Sequence, residues 1–218
     1  MTNIKQLNRE NRFQVFNNYE SRDTGLPKSA IFVDRDGVII EDKHYLKDPA
    51  KVVLCKGVIQ LFRISGEKNI PIIIVTNQSG IFRGLLTWDE YQAVTEQMMG
   101  LLGNPPNLLA IYANSCSPSA SKKSWRKPSP EMIKDAAKRF NIDLINSVMI
   151  GDRMSDIEAG LNAGIGNLVH VLTGHGHAHK SNFLALAGRR KQHSNHNFCQ
   201  LNNLSDFSFK AINNRKDQ

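Results

Sequence analysis

Residues 30–37 read AIFVDRDG. An unbroken apolar run from Ala30 to Val33 stops abruptly at Asp34, as a strand buried on both faces does where it gives way to its loop. Burial on both faces belongs to parallel sheets covered by helices. The stretch therefore predicts a layered α/β architecture with residues 34–37 at the carboxyl end of a strand.

The flanking sequence repeats the pattern. Residues 57–68 set Val58, Ile59, Leu61, Phe62 and Ile64 at spacings of three and four, which predicts an amphipathic helix over the sheet. PIIIV, residues 71–75, is a second buried strand ending at Thr76. A helix is expected from Thr87, an N-cap ahead of Asp89 and Glu90, to Leu102, followed by a strand at 108–112. Ser129 as a cap and Pro130 at the first helical position open a helix running to Phe140. A strand at 147–150, a helix around 155–163 and a strand at 167–172 complete the series. This alternation predicts a three-layer Rossmann-like α/β fold with a central parallel sheet and right-handed crossovers. Residues 1–28, rich in Asn, Arg and Gln, are expected as an arm preceding a core of residues 29–174. The basic segment 175–218 is expected to add a last short strand at NFC and a final helix using Leu204, Phe207 and Ile212.

Composition narrows the partners. The 218 residues are 40% hydrophobic, enough for one sizeable core, and the net charge of +8 favours a polyanion, an acidic membrane or a phosphorylated metabolite. The longest apolar run, Ile72 to Val75, is far below the roughly 20 residues of a bilayer span, so no membrane partner is expected. The first residues lack a secretory apolar core, and Glu10 and Glu20 argue against an organelle presequence, which predicts a cytoplasmic protein. Cys55, Cys116 and Cys199 are widely spaced and read as reduced thiols. GHGHAHK, carrying His175, His177 and His179, is expected as an exposed Gly-rich loop and not a metal site. The basic tail lacks a nucleic-acid module, so nucleic acid is not an expected partner, and the missing GxxxxGK[ST] removes P-loop kinase chemistry.

In an open α/β sheet, ligands bind outside the carboxyl ends of the strands. Four segments at that edge carry reactive groups: Asp34-Arg35-Asp36-Gly37, Thr76-Asn77-Gln78-Ser79-Gly80, Arg126-Lys127-Pro128, and Gly151-Asp152-Arg153 with Asp156 beyond. Carboxylates about 5 Å apart repel by roughly 3 kcal/mol per pair at an effective dielectric of 20, so such a cluster calls for a cation. Hard oxygen ligands favour Mg²⁺. Asp34 can attack phosphorus as a nucleophile, while Asp36, two residues on and on the same side of an extended segment, can act as acid and then base. Thr76 and Lys127 can bind the phosphoryl oxygens where charge spreads. Asp156 serves equally as a helix-capping acid.

The order DxDG, strand-terminal Thr, Lys-Pro and GDxxxD resembles the haloacid dehalogenase (HAD) superfamily of aspartate-nucleophile phosphatases, over residues 30–173. DRDGVI, VTNQSGIFRG, RKPSPEM and MIGDRMSD are similar to the branch containing heptose-bisphosphate and histidinol-phosphate phosphatases. The resemblance implies Asp34 as nucleophile and metal ligand, Asp36 as acid/base with its carbonyl on the metal, and Asp152 as third metal ligand. It also implies substrate or phosphate contacts at Asp42, Tyr45, Thr76, Asn77, Gln78, Ser79, Arg83, Arg126, Lys127 and Arg153. Zinc-loop members of this branch carry paired cysteines before the Arg-Lys-Pro; here NSCSPSASKKSWRKP leaves Cys116 without thiolate partners, so structural zinc is not expected and packing of Trp125 is expected instead. The short spans 36–57 and 80–126 cannot house a cap domain, which implies the capless type with loops 41–48 and 114–126 receiving the substrate. The expected activity is Mg²⁺-dependent hydrolysis of a small phosphorylated metabolite, foremost a sugar phosphate such as D-glycero-D-manno-heptose 1,7-bisphosphate. Histidinol phosphate, a polynucleotide end, or a non-catalytic phosphate-binding scaffold are the alternatives.

Overall fold

The run 31–33 does form a strand at the centre of a sheet. The computed structural model describes residues 3–6, 11–15, 28–117, 124–190 and 195–209. The strands are β1 (Asn3–Gln6), β2 (Asn11–Val15), β3 (Ile31–Val33), β4 (Ile72–Asn77), β5 (Leu108–Asn114), β6 (Val148–Gly151), β7 (Asn167–Val171) and β8 (Asn197–Leu201). The helices are α1 (Val58–Glu67), α2 (Ser79–Phe82), α3 (Trp88–Leu101), α4 (Glu131–Phe140), α5 (Met154–Ala163) and α6 (Gly176–Arg190).

The sheet order is β1-β2-β5-β4-β3-β6-β7-β8, with the six strands from β5 to β8 parallel and β1 and β2 antiparallel at one edge. The chain builds outward from β3 through β4 to β5, then returns to the other side of β3 with β6. The switch point therefore falls between β3 and β6, and a crevice opens above their carboxyl ends.

Alternation along the strands divides the core into two layers. Ile31, Val33, Ile72, Ile74 and Ile150 pack with Leu61 and Phe62 of α1 and Val94 and Met98 of α3. Phe32, Ile73, Val75 and Met149 pack on the other face with Met132 and Ile133 of α4, Ile157 of α5 and Phe183 of α6. Each such side chain contributes about 1.5–3 kcal/mol on burial, so the strand tips project from a firmly packed base. From β3 to α1 the chain runs through a 3-10 turn at Pro49–Lys51 and a bridge of Ile40 to Leu54, and no cap domain stands among the described residues.

Thr87 caps α3: its hydroxyl accepts from the Glu90 amide at 3.1 Å, and the Glu90 carboxylate accepts from the Thr87 amide at 2.7 Å. Thr87→Ala is expected to lower stability by about 1 kcal/mol, read from the urea midpoint, with no change in turnover.

Four sequence expectations are corrected here. The segment expected as a free arm supplies β1 and β2, which extend the sheet beyond β5. GHGHAHK, expected as an exposed loop, opens the fifteen-residue helix α6, with Gly176 and Phe183 buried. Pro130 takes the N-cap of α4 and not its first turn, because the helix begins one residue later at Glu131. The expected last strand is β8; Leu204 to Asp206 form a 3-10 turn in place of a helix start, and Ile212 lies outside the described residues.

Candidate active site

Asp34 follows β3 directly, and its amide donates to the Ile150 carbonyl of β6 at 3.0 Å, which sets it beside the tip carrying Asp152. Asp34, Asp152 and Asp156 are buried and each offers a carboxylate oxygen within 4.8 Å of the others. Lys127 enters the same cluster: its Nζ lies 2.9 Å from Asp34 Oδ1 and 2.6 Å from Asp156 Oδ1, and donates to the Val75 carbonyl at 2.7 Å. Asn77 positions that lysine by gripping its backbone, donating to the Lys127 carbonyl at 3.1 Å and accepting from its amide at 3.0 Å. Asp156 also accepts from the Arg153 amide at 2.9 Å, so it both caps α5 and neutralises Lys127.

The electrostatics follow from crowding. Burial, aided by Asp156 and Asp36 and opposed by Lys127, pushes the Asp34 carboxyl up to about 7. Burial together with Asp156 and Asp34 pushes Asp152 up to about 8. Burial alone would lower Lys127, but Asp156 and Asp34 outweigh it and hold the ammonium above its ordinary value. Between roughly pH 4 and pH 8 Asp34 and Asp152 thus hold more protons in the folded metal-free protein than in the unfolded chain, and their contribution to stability falls as pH rises through that window, while His170 and His179, held below the ordinary imidazole value by burial, act in the opposite direction over its lower part. Above the ordinary imidazole range the two acids alone set the slope, so the unfolding temperature of the metal-free protein is expected to drop from pH 7 to pH 8. Added Mg²⁺ should raise it more at the higher pH, because its ligands must be deprotonated; a Mg²⁺ effect that shrinks with pH would contradict this.

The cluster fits a divalent cation. Asp152 Oδ1 is buried without a hydrogen-bond partner among the described residues. Asp152 Oδ2 sits so close to Gly37 and Gly174 that a Cβ on either would come within 2.4 Å and 2.3 Å of it, and both glycines have positive φ, 83° and 53°. All-oxygen donors with net negative charge suit Mg²⁺.

Asp36 faces the cleft. Its carboxylate accepts from the buried Arg35 guanidinium at 3.1 Å and from Gln78 Nε2 at 2.7 Å, and Gln78 reaches Thr76 Oγ1 at 2.9 Å. Arg35, 4.6 Å above the Tyr91 ring, fixes Asp36 from below. The cleft measures about 530 Å³. Eleven of the residues expected from the sequence line it: Asp34, Asp36, Asp42, Tyr45, Asn77, Gln78, Ser79, Arg83, Arg126, Lys127 and Arg153. Thr76 and Asp152 are buried and do not line it. Sequence reasoning assigned no role to Arg35, His44 or His175, which also line the cleft.

The rim is cationic. Arg83 donates to the Tyr45 hydroxyl at 2.8 Å, Arg126 to the Cys116 carbonyl at 3.2 Å, and Arg153 lies 3.3 Å from Asp42. Burial and repulsion from Arg83 and Arg153 hold Arg126 below its ordinary pKa. Burial would raise Asp42, but the His44 amide, His175 and Arg153 hold it below the usual carboxylate range. Before the Arg-Lys-Pro, Trp125 packs on Tyr112 with ring centroids 5.2 Å apart, and Asn114 Nδ2 donates to Cys116 Sγ at 3.1 Å. Residues 118–123 of the expected substrate loop lie outside the described residues.

Fold and site together define the class: a phosphatase on a three-layer α/β sheet, with its acids gathered at the topological switch point. The chain is 37% identical over 140-odd residues, 143 in all, to "D-glycero-alpha-D-manno-heptose-1,7-bisphosphate 7-phosphatase" of Campylobacter jejuni, covering 65% of this chain and 81% of that protein. The chain belongs to the haloacid dehalogenase superfamily. A HAD-hydrolase-like family profile matches residues 124–194. The "D-glycero-beta-D-manno-heptose-1,7-bisphosphate 7-phosphatase" of Mesorhizobium japonicum is 36% identical over 143 residues, 62% of this chain and 66% of that protein, so the match spans just under two thirds of its length. Among solved structures, the D,D-heptose 1,7-bisphosphate phosphatase of B. bronchiseptica, complexed with magnesium and phosphate, superposes with a TM-score of 0.68 at 28% identity, covering 81% of this chain and 94% of that one. Among the described residues no helix is long and apolar enough to cross a membrane.

Proposed function

We propose that this chain is a Mg²⁺-dependent phosphomonoesterase working through an aspartyl-phosphate on Asp34, with D-glycero-D-manno-heptose 1,7-bisphosphate as substrate and the 7-phosphate as the group removed. The observation that carries the reading is Asp34 itself: it lines the cleft, and its contacts with Lys127 and the Arg35 amide both fall on Oδ1, so Oδ2 is the oxygen left to attack. As the bond from Oδ2 to phosphorus forms, the bond from phosphorus to the sugar oxygen breaks, and protonated Asp36 gives its proton to the departing alkoxide. The Asp36 carboxylate then takes a proton from water, whose oxygen attacks the same phosphorus. Inorganic phosphate leaves and the Asp34 carboxylate is restored. Mg²⁺, held by Asp34, Asp152 and the Asp36 carbonyl, would neutralise the acidic cluster and offset the phosphoryl charge. Lys127 adds a fixed cation beside the attacking carboxylate.

Arg83, Arg126 and Arg153 on the rim suit the phosphate that is not cleaved, and the open cleft admits a sugar without a closing domain. Relatives of near-equal identity carry both anomeric names, so both anomers belong in the test. Phosphate release is expected from heptose 1,7-bisphosphate at a kcat/KM roughly 100-fold or more above histidinol phosphate, since rim arginines left unpaired penalise a monophosphate. Rapid turnover of histidinol phosphate with none of either heptose anomer would overturn the substrate assignment.

A further inference from the structure

The proposed chemistry leaves His44 and His175 unused, although the fold brings them together at the cleft mouth. Asp42, His44 and His175 each offer a ligand atom within 4.8 Å of the others. His175 Nε2 lies 2.9 Å from Asp42 Oδ2, and the two imidazole rings stand 6.1 Å apart at 48°. We propose that these three side chains form a second cation site, for a borderline transition ion of the Zn²⁺ class, separate from the acidic cluster at the strand tips.

The donor set decides the ion. Two imidazoles and one carboxylate match the preferences of Zn²⁺ and Co²⁺, whereas the three carboxylates below match Mg²⁺. The two sites thus differ in hardness as well as place.

The scaffold holds the donors in position. The His175 amide donates to Asp152 Oδ2 at 2.7 Å, and Thr173 Oγ1 donates to the Gly37 carbonyl at 2.6 Å, which ties the approach to α6 against the loop after β3. On the facing loop the His44 amide donates to Asp42 Oδ1 at 3.0 Å, with His44 at a φ of 44°. The Arg153 guanidinium, 3.3 Å from Asp42 Oδ2, is the resident cation that an ion would displace from that oxygen. Three protein ligands leave a fourth position open beside a cleft lined by Arg126 and Arg153, where an anionic or hydroxyl oxygen of a bound molecule can complete the shell.

The test titrates Co²⁺ into the full chain saturated with Mg²⁺, at pH 8. One equivalent should bind with visible ligand-field absorption, resist excess Mg²⁺ and yield to Zn²⁺. His44→Ala and His175→Ala should each weaken binding by roughly tenfold or more, with unfolding curves recorded alongside to establish that the variants are folded. The Asp34→Asn protein, altered in the acidic cluster but not in the contacts that hold His175, should keep the absorption. No absorption in the wild type, absorption that survives both histidine substitutions, or its loss in Asp34→Asn would each overturn the proposal. The readout is spectral, so its failure is distinct from a failure of phosphate release.

Discussion

Asp34→Asn is expected to lower kcat for phosphate release by roughly 10⁴-fold or more, about 5.4 kcal/mol of transition-state stabilisation. A neutral amide cannot donate an electron pair to phosphorus as a carboxylate does, and the proposed chemistry has no other nucleophile in reach. The substitution is nearly isosteric. The Asn carbonyl can keep the position of Oδ1, where it still accepts from the Arg35 amide and from Lys127 Nζ, now 2.7 Å and 2.9 Å away. Burial already pushes the Asp34 carboxyl up to about 7, so replacing it relieves crowding, and the unfolding temperature of the metal-free protein at pH 8 should hold or rise. Rim arginines are untouched, so substrate should still bind. The measurements are phosphate release, mass spectrometry for a phosphorylated chain trapped from wild type, and thermal unfolding. Equal phosphate release from variant and wild type, or a phosphoryl adduct that persists in Asp34→Asn, would remove Asp34 from the role of nucleophile.

What the sequence made readable was governed by locality. Strands buried on both faces announce themselves as apolar runs, and the acids that stop them mark the crevice, so Asp34 and Asp152 stood out without coordinates. Thr87 was readable for the same reason, because a capping box is closed within three residues. The edge strands β1 and β2 were not readable. Their residues, NIKQ and NRFQV, carry little apolar alternation, and β2 owes its place to β5, whose paired residue Asn114 is far along the chain from Asn11. Helix α6 was hidden by composition: Gly and His are poor helix formers, and only Gly176 and Phe183 of its residues are buried. His175 could not be placed at the cleft because its partner Asp42 lies 133 residues away. Arg35 was passed over inside the DRDG motif itself, since nothing local indicates that its guanidinium turns inward to Asp36 and Thr95 instead of outward to solvent. The alternative roles of Asp156 were not alternatives, because one oxygen caps α5 while the other meets Lys127.

That last contact gives Lys127 the second large effect. Lys127→Met removes an ammonium that meets Asp34, Asp156 and the Val75 carbonyl, and it strands two buried carboxylates beside Asp152. Removing one partner of a buried ion pair costs about 3–5 kcal/mol, and turnover should fall by roughly 10²–10³-fold as the fixed cation beside the attacking oxygen is lost. The stability loss should depend on pH with a definite sign. Without Lys127, the interaction that lowers the Asp34 pKa is gone, so the carboxyl stays protonated to higher pH; the variant is penalised most at pH 8 and least at pH 5, where the acids can shed their charge. Pairing the change with Asp156→Asn separates the structural role of the lysine from its chemical one. The Asn oxygen can still accept from the Arg153 amide and keep the start of α5, while one of the stranded charges disappears. The double variant should therefore recover much of the lost stability at pH 8 and none of the lost turnover. Denaturant unfolding at both pH values and steady-state phosphate release measure the two quantities independently. Recovery of turnover in the double variant would mean that Lys127 only neutralises Asp156, and an unchanged unfolding midpoint for Lys127→Met at pH 8 would mean that the buried acids are already protonated there.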